Sequence, residues 1–109
     1  MVCKFQEISD FFHKYPQLLE DIEEQELKEL FEIFPHACKF VKTLEEDNVD
    51  CDNLDVVSQK TLELLDDAYD HEYTKEEILN LAVIICKIFD MVGAPKYHVP
   101  FILVMLAKL

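Results

Sequence analysis

Thr74 to Leu109 reads TKEEILNLAVIICKIFDMVGAPKYHVPFILVMLAKL, and this stretch decides the fold class. Thr74 followed three residues later by Glu77 is a capping box, the reciprocal side-chain and backbone pairing that opens a helix. Apolar residues then recur at helical spacing as far as Val92. Gly93 suits the left-handed residue that closes such a helix, and Ala94, Pro95 and Lys96 read as a turn. A last helix from about Tyr97 or Pro100 onward carries FILVMLAKL (Phe101–Leu109), apolar nearly all round. A helix of that kind is central in a bundle or half-buried at an oligomer interface. From Ile78 to the end, 23 of 32 residues are apolar, so these two helices are expected to form the core.

Working outward, Phe5, Ile8, Phe11, Phe12 and Tyr15 fall on one face of a first helix. Pro16 cannot extend that helix but suits the first turn of the next. Leu18, Leu19, Ile22, Leu27, Leu30, Phe31 and Phe34 continue the helical period. Pro35 forces a break, and a helix carrying Cys38, Val41 and Leu44 is expected to run out near Asp47. Asn48 to Asn53 (NVDCDN) is the clearest loop, because its side chains bond their own backbone in turns. Leu54, Val57, Thr61, Leu64, Leu65 and Ala68 then mark an amphipathic helix ending around Asp70. Alternating strand patterns are absent. The expectation is an all-α, compact single-domain bundle of five to six helices over residues 1–109, with the apolar C-terminal helix pair at its core.

The charge is one-sided. The chain has 109 residues with 23 Asp and Glu against 10 Lys and no Arg, a formal net charge of −13. Between Glu20 and Glu77 lie 20 of the 23 acids and 5 of the lysines. Three clusters stand out, at Glu20–Glu32, Glu45–Asp55 and Glu63–Glu77. Few of these acids have a Lys in helical reach, Glu24 with Lys28 being one case. An acidic chain without Arg is a poor binder of nucleic acid or anionic membrane, since both affinities come from neutralising phosphates. A single Gly leaves no phosphate-cradling loop, dinucleotide fingerprint or nucleophile elbow.

Several site readings can be weighed on spacing. Asn48, Asp50 and Asp52 supply oxygens at positions one, three and five of a calcium-loop pattern, but Asn53 stands where Gly belongs and Gln59 where a bidentate Glu belongs. An Asx-rich turn is the simpler reading. For zinc, His36, Cys38 and Cys51 lack paired ligand spacing. For catalysis, His13, His36, His71 and His98 have acids nearby only as any acidic chain would, with no oxyanion loop. No cofactor, metal site or enzymatic activity is expected. His98, set among apolar residues, reads as a core or interface histidine.

The chain opens MVCKFQEISD without an apolar h-region, and no apolar run is long enough to cross a bilayer. Cys3, Cys38, Cys51 and Cys86 are widely spaced and are expected to be reduced thiols in a cytoplasmic protein. Small acidic helical proteins include nuclease immunity proteins, anti-restriction and anti-CRISPR inhibitors and DNA mimics, and no motif ties the chain to any of them. The missing Arg is what A+T-rich coding tends to produce, a pointer toward a phage, a mobile element or an A+T-rich microbe. The leading expectation is an inhibitor or immunity-type module that blocks a basic protein, such as a nuclease or other nucleic-acid-acting protein, by charge complementarity or DNA mimicry. Its contact residues would be Glu20, Glu23, Glu24, Glu26, Glu29, Glu63, Asp66, Asp67, Asp70 and Glu72. The alternative is a structural subunit or adaptor that forms a homodimer or docks a partner through its C-terminal helix.

Overall fold

The capping box at Thr74 forms as the spacing predicts. Glu77 N donates to Thr74 Oγ1 at 3.2 Å, and Thr74 N donates to Glu77 Oε1 at 3.2 Å. In this computed structural model, which describes residues 5–33, 48–68 and 72–109, five α-helices follow one another. They are α1 (Phe5–Lys14), α2 (Glu24–Ile33), α3 (Leu54–Ala68), α4 (Lys75–Val92) and α5 (His98–Lys108), with a 3₁₀ turn at Pro16–Leu19 between the first two. No strand is present among the described residues, and the all-α bundle is as expected. The radius of gyration is 12.6 Å, close to the roughly 13 Å of a compact chain this long. The helix expected from Pro35 to Asp47 lies outside the described residues, as do Phe34 and Asp70.

Each helix buries the face its period marks. On α1, Ile8, Phe11 and Phe12 are buried and Tyr15 packs against them. On α3 the buried set is Leu54, Val57, Ser58, Thr61, Leu64 and Leu65. The Thr61 hydroxyl donates to the Val57 carbonyl at 2.8 Å, which satisfies it in the interior. On α4 the buried residues are Ile78, Ala82, Ile85, Cys86 and Phe89. Helix α4 ends in a Schellman motif. Gly93 has φ 76°, its N–H donates to the Asp90 carbonyl at 3.2 Å, and Ala94 N–H reaches the Phe89 carbonyl at 3.0 Å.

Helix α5 is the centre of the bundle. Every residue from His98 to Leu106 is buried, and α1, α2, α3 and α4 all pack on it. Pro100 sits in its first turn, where a backbone N–H has no intrahelical partner to lose. Each fully enclosed Phe, Ile, Leu or Val on α5 contributes about 1.5–3 kcal/mol by leaving water. An aromatic cluster ties three helices together. Phe11 lies 6.5 Å from Phe89 and 5.5 Å from Tyr97 between ring centroids, and Phe89 lies 5.2 Å from Phe101.

Two expectations are corrected. The helical period from Pro16 to Phe34 does not give a continuous helix: one 3₁₀ turn ends at Leu19 and α2 starts only at Glu24. Between them stand Glu20, Asp21 and Glu23 with no cation, so a continuous helix would stack like charges at neighbouring positions. The second correction concerns the thiols. Cys51 and Cys86 form a disulfide with Cα atoms 6.2 Å apart. Spacing along the chain could not show this pairing, because it is the packing of the Asn48–Asn53 loop against α4 that brings the two together. Cys3 and Cys38 lie outside the described residues.

Candidate acidic interface

The acids of the first cluster sit on the 3₁₀ turn's exit and on α2. Glu20, Glu23, Glu24, Glu26 and Glu29 are all exposed, while Leu27 beneath them is buried and Leu30 and Phe31 are half-buried. Thus α2 lays its apolar edge on α5 and turns its carboxylates to water. On α3, Glu63 and Asp66 are exposed, and Glu72 is exposed in the segment leading to Thr74. Asp67 belongs to α3, its side chain outside the described set. The two groups of acids are therefore carried by separate helices, each packed on α5, and α2 and α3 are not principal neighbours of one another.

The way these carboxylates are held matters for their charge. Gln25 Nε2 reaches Glu29 at 3.5 Å and Gln59 Nε2 reaches Glu63 at 3.4 Å, both long contacts, while Gln6 Nε2 donates to Asp10 at 2.9 Å. An amide at i donating to an acid at i+4 steadies the side chain and leaves the charge intact. Among the described residues, Glu20, Glu23, Glu26, Glu29, Glu63 and Glu72 take part in no ion pair. Among the described residues, Lys75 pairs with Asp55 at 3.4 Å and Lys96 pairs with Asp90.

Glu24 differs from the rest. Its Oε1 accepts a hydrogen bond from Ser9 Oγ on α1 and lies 3.5 Å from His13 Nε2. The Ser9 hydrogen bond holds the Glu24 carboxyl below its ordinary value; partial burial opposes it, and the nearby His13 adds to the lowering. The partner foreseen for Glu24, Lys28, lines the same small hollow but forms no ion pair among the described residues. Ser9, Glu24 and His13 place a serine, an acid and a histidine together in the wrong order for nucleophilic catalysis. The carboxylate stands in the middle, whereas activation of a serine needs the imidazole there. The trio ties α1 to the first residue of α2, where a carboxylate also meets the positive end of the helix dipole.

The Asn48–Asn53 loop is an Asx turn. Asp50 Oδ1 accepts from Asp52 N at 2.9 Å and the Asp50 carbonyl accepts from Asn53 N at 3.0 Å. Gln59 faces Glu63 on its own helix. Val49 N donates to the Lys96 carbonyl at 2.8 Å, Asn48 bridges Tyr97, and Cys51 is bonded to Cys86. Among the described residues no three His, Cys, Asp or Glu side chains come together as a metal site. His98 is buried, as its apolar surroundings suggested, while His36 and His71 lie outside the described residues. No helix among the described residues is long and apolar enough to cross a membrane. No known protein family, curated protein or solved structure matches the chain.

Proposed function

We propose that the chain is a non-catalytic protein-binding module whose acidic helix α2, together with Glu20 and Glu23, meets a basic surface on a nucleic-acid-acting protein such as a nuclease. One observation carries the reading. The carboxylates of Glu20, Glu23, Glu26 and Glu29 are exposed, held on or beside a helix anchored in the core, and without ion pairs among the described residues. Fixed, uncompensated negative charge steers a cationic partner and competes with phosphates for it. Glu63, Asp66 and Glu72 form a second, separate acidic surface, with Asp67 and Asp70 assigned to it by sequence. No cofactor enters this mechanism, which is steric and electrostatic.

The disulfide supports an oxidising compartment over the cytoplasm expected from the sequence. Basic proteins that act outside a reducing cytosol are accordingly the first partners to try. The alternative, self-association through the C-terminal helix, loses its main support because α5 is enclosed from His98 to Leu106.

The test is capture on the immobilised chain at low salt, with elution by rising salt. A nucleic-acid-acting protein released by salt, and no longer captured when Glu23, Glu26 and Glu29 are changed to Lys in a variant with an unaltered circular dichroism spectrum, is the expected result. Equal capture by the folded variant would remove α2 from the interface.

A further inference from the structure

Asp50, Cys51, Asp52 and Asn53 lie between two buried anchors, Val49 and Leu54. Asp50, Asp52 and Asn53 are exposed. Among the described residues their hydrogen bonds are internal to the turn, Asp52 N and Asn53 N both donating to Asp50. The Val49–Lys96 bond and the Asn48–Tyr97 bridge hold the chain just ahead of the turn rather than the turn itself. What ties the turn to α4 is the Cys51–Cys86 disulfide. Its two sulfurs are not equally placed. Cys86 is 6% exposed on the core face of α4, whereas Cys51 is only half-buried.

We propose that this disulfide is a redox latch: a dithiol, such as the active-site pair of a thiol–disulfide oxidoreductase, opens it and frees the Asp50–Asn53 turn while the helical bundle stays folded. The more accessible sulfur sets the order of events. One thiolate of the dithiol attacks Cys51 Sγ, the Cys51–Cys86 bond breaks, and Cys86 leaves as a thiolate that takes up a proton. The reductant's second thiol loses its proton and attacks its own sulfur in the mixed disulfide. A disulfide forms within the reductant, and Cys51 leaves and is protonated in turn. Two electrons thus pass from the dithiol to the cystine, and the dithiol's protons end on Cys51 and Cys86.

The core does not depend on the bond. Helix α5 stays enclosed by its neighbours, and a reduced Cys86 packs as a small hydrophobe where it already lies. The turn has no fully buried side chain and no hydrogen bond to another element among the described residues, which are the marks of a segment that opens locally at little cost. The chain is therefore closed to proteases at this turn where disulfides persist, and open to them where dithiols keep cysteines reduced. The latch is independent of the interface proposed for α2.

The test is limited proteolysis of the whole chain by a serine protease that cuts after Asp and Glu and tolerates dithiothreitol, with the cuts located by mass spectrometry. Alkylation in denaturant after an acid quench reports the state of Cys51 and Cys86, and circular dichroism reports the fold. Millimolar dithiothreitol should reduce both cysteines and leave the helical signal in place. Cleavage after Asp50 and Asp52 should then speed up by about tenfold or more, while cleavage after Asp66 and Asp90, inside α3 and α4, stays as it was. The variant C51S/C86A should be cut like the reduced wild type, with or without dithiothreitol.

A bond that resists dithiothreitol in the folded chain overturns the proposal, and so does cleavage after Asp50 and Asp52 that reduction leaves unchanged. Loss of the helical signal on reduction, with cutting raised at every acid alike, makes the bond a staple of the whole fold instead of a latch. Faster cutting of C51S/C86A on adding dithiothreitol assigns the effect to other cysteines and also removes the idea.

Discussion

Cys51, in the loop ahead of α3, is bonded to Cys86 on the buried face of α4, 35 residues further along the chain. The bond joins a segment rich in turn-forming acids to the helix that does most of the packing against α3. The same loop is held from a second side, by the Val49 N–H on the Lys96 carbonyl and the Asn48–Tyr97 bridge. The segment leading into α3, the C-terminal half of α4 and the segment leading into α5 are thereby fixed to one another. Negative charge at Asp50 and Asp52 is kept against the bundle by a covalent bond and backbone hydrogen bonds.

Removing the disulfide should destabilise the chain by about 3–4 kcal/mol, from the entropy returned to an unfolded chain that no longer carries a closed loop of this length. The variant C51S/C86A tests this by urea denaturation, with Ala chosen at the buried position so that no hydroxyl is left unsatisfied. A lower midpoint with a steeper slope is expected, because the unfolded chain without the cross-link is less compact and exposes more surface. Thiol alkylation of the unreduced wild type followed by mass spectrometry should leave Cys51 and Cys86 unlabelled.

Much of the fold was legible in the sequence, because it is punctuated by strong local signals. Thr74 with Glu77, Gly93, and Pro16 each act within a few residues of themselves, and each does in the structure what its chemistry dictates. The burial of α5 followed from its having no polar face. Two other features depended on distant or collective effects. The gap between Leu19 and Glu24 needed the repulsion among Glu20, Asp21 and Glu23 to outweigh an apolar period that looks continuous. The Cys51–Cys86 bond needed the loop's position against α4, which no spacing encodes. The Ser9–Glu24–His13 contact was hidden for the same reason, since it joins two helices whose relative placement the sequence does not give. The exposure of Ile84 and Met91 on α4 was concealed by an apolar run that reads as uniform core.

Gly93 isolates the cost of a left-handed backbone from that of crowding. Its φ is 76°, and a Cβ placed there would meet nothing within 4 Å. Gly93→Ala should therefore cost about 1–2 kcal/mol from backbone strain alone. Gly93→Asn should cost less, since Asn tolerates this region better. Thermal or urea denaturation of the two variants should rank them wild type, Asn, Ala; an Ala variant as stable as wild type would contradict the Schellman cap.

Phe101 and Met91 should respond in opposite ways to truncation. Phe101 is completely enclosed and packs 5.2 Å from Phe89, so Phe101→Ala leaves a cavity and should cost about 3–5 kcal/mol. Met91, 86% exposed on α4, should change stability by less than about 0.5 kcal/mol when made Ser. Paired denaturant curves give both numbers. A large loss for Met91→Ser would mean that this side of α4 is packed in solution.

The Ser9–Glu24 bond predicts how stability should change with pH. The bond lowers the Glu24 carboxyl's pKa from its ordinary 4.5 in the folded chain. A carboxyl whose folded pKa is depressed binds its proton more readily when unfolded, so acid favours unfolding. The stabilisation is complete above 4.5 and disappears as pH falls through the lower folded value. Ser9→Ala removes the largest cause of the depression. The wild type should be more stable than Ser9→Ala at about pH 7, and the gap should narrow at a second pH below the ordinary 4.5. Glu24→Gln provides the second check, because in that background Ser9→Ala should show a gap that does not vary with pH over the same range. Urea midpoints at the two pH values measure it, and a gap that widened on acidification would show that Glu24 is not the group responsible.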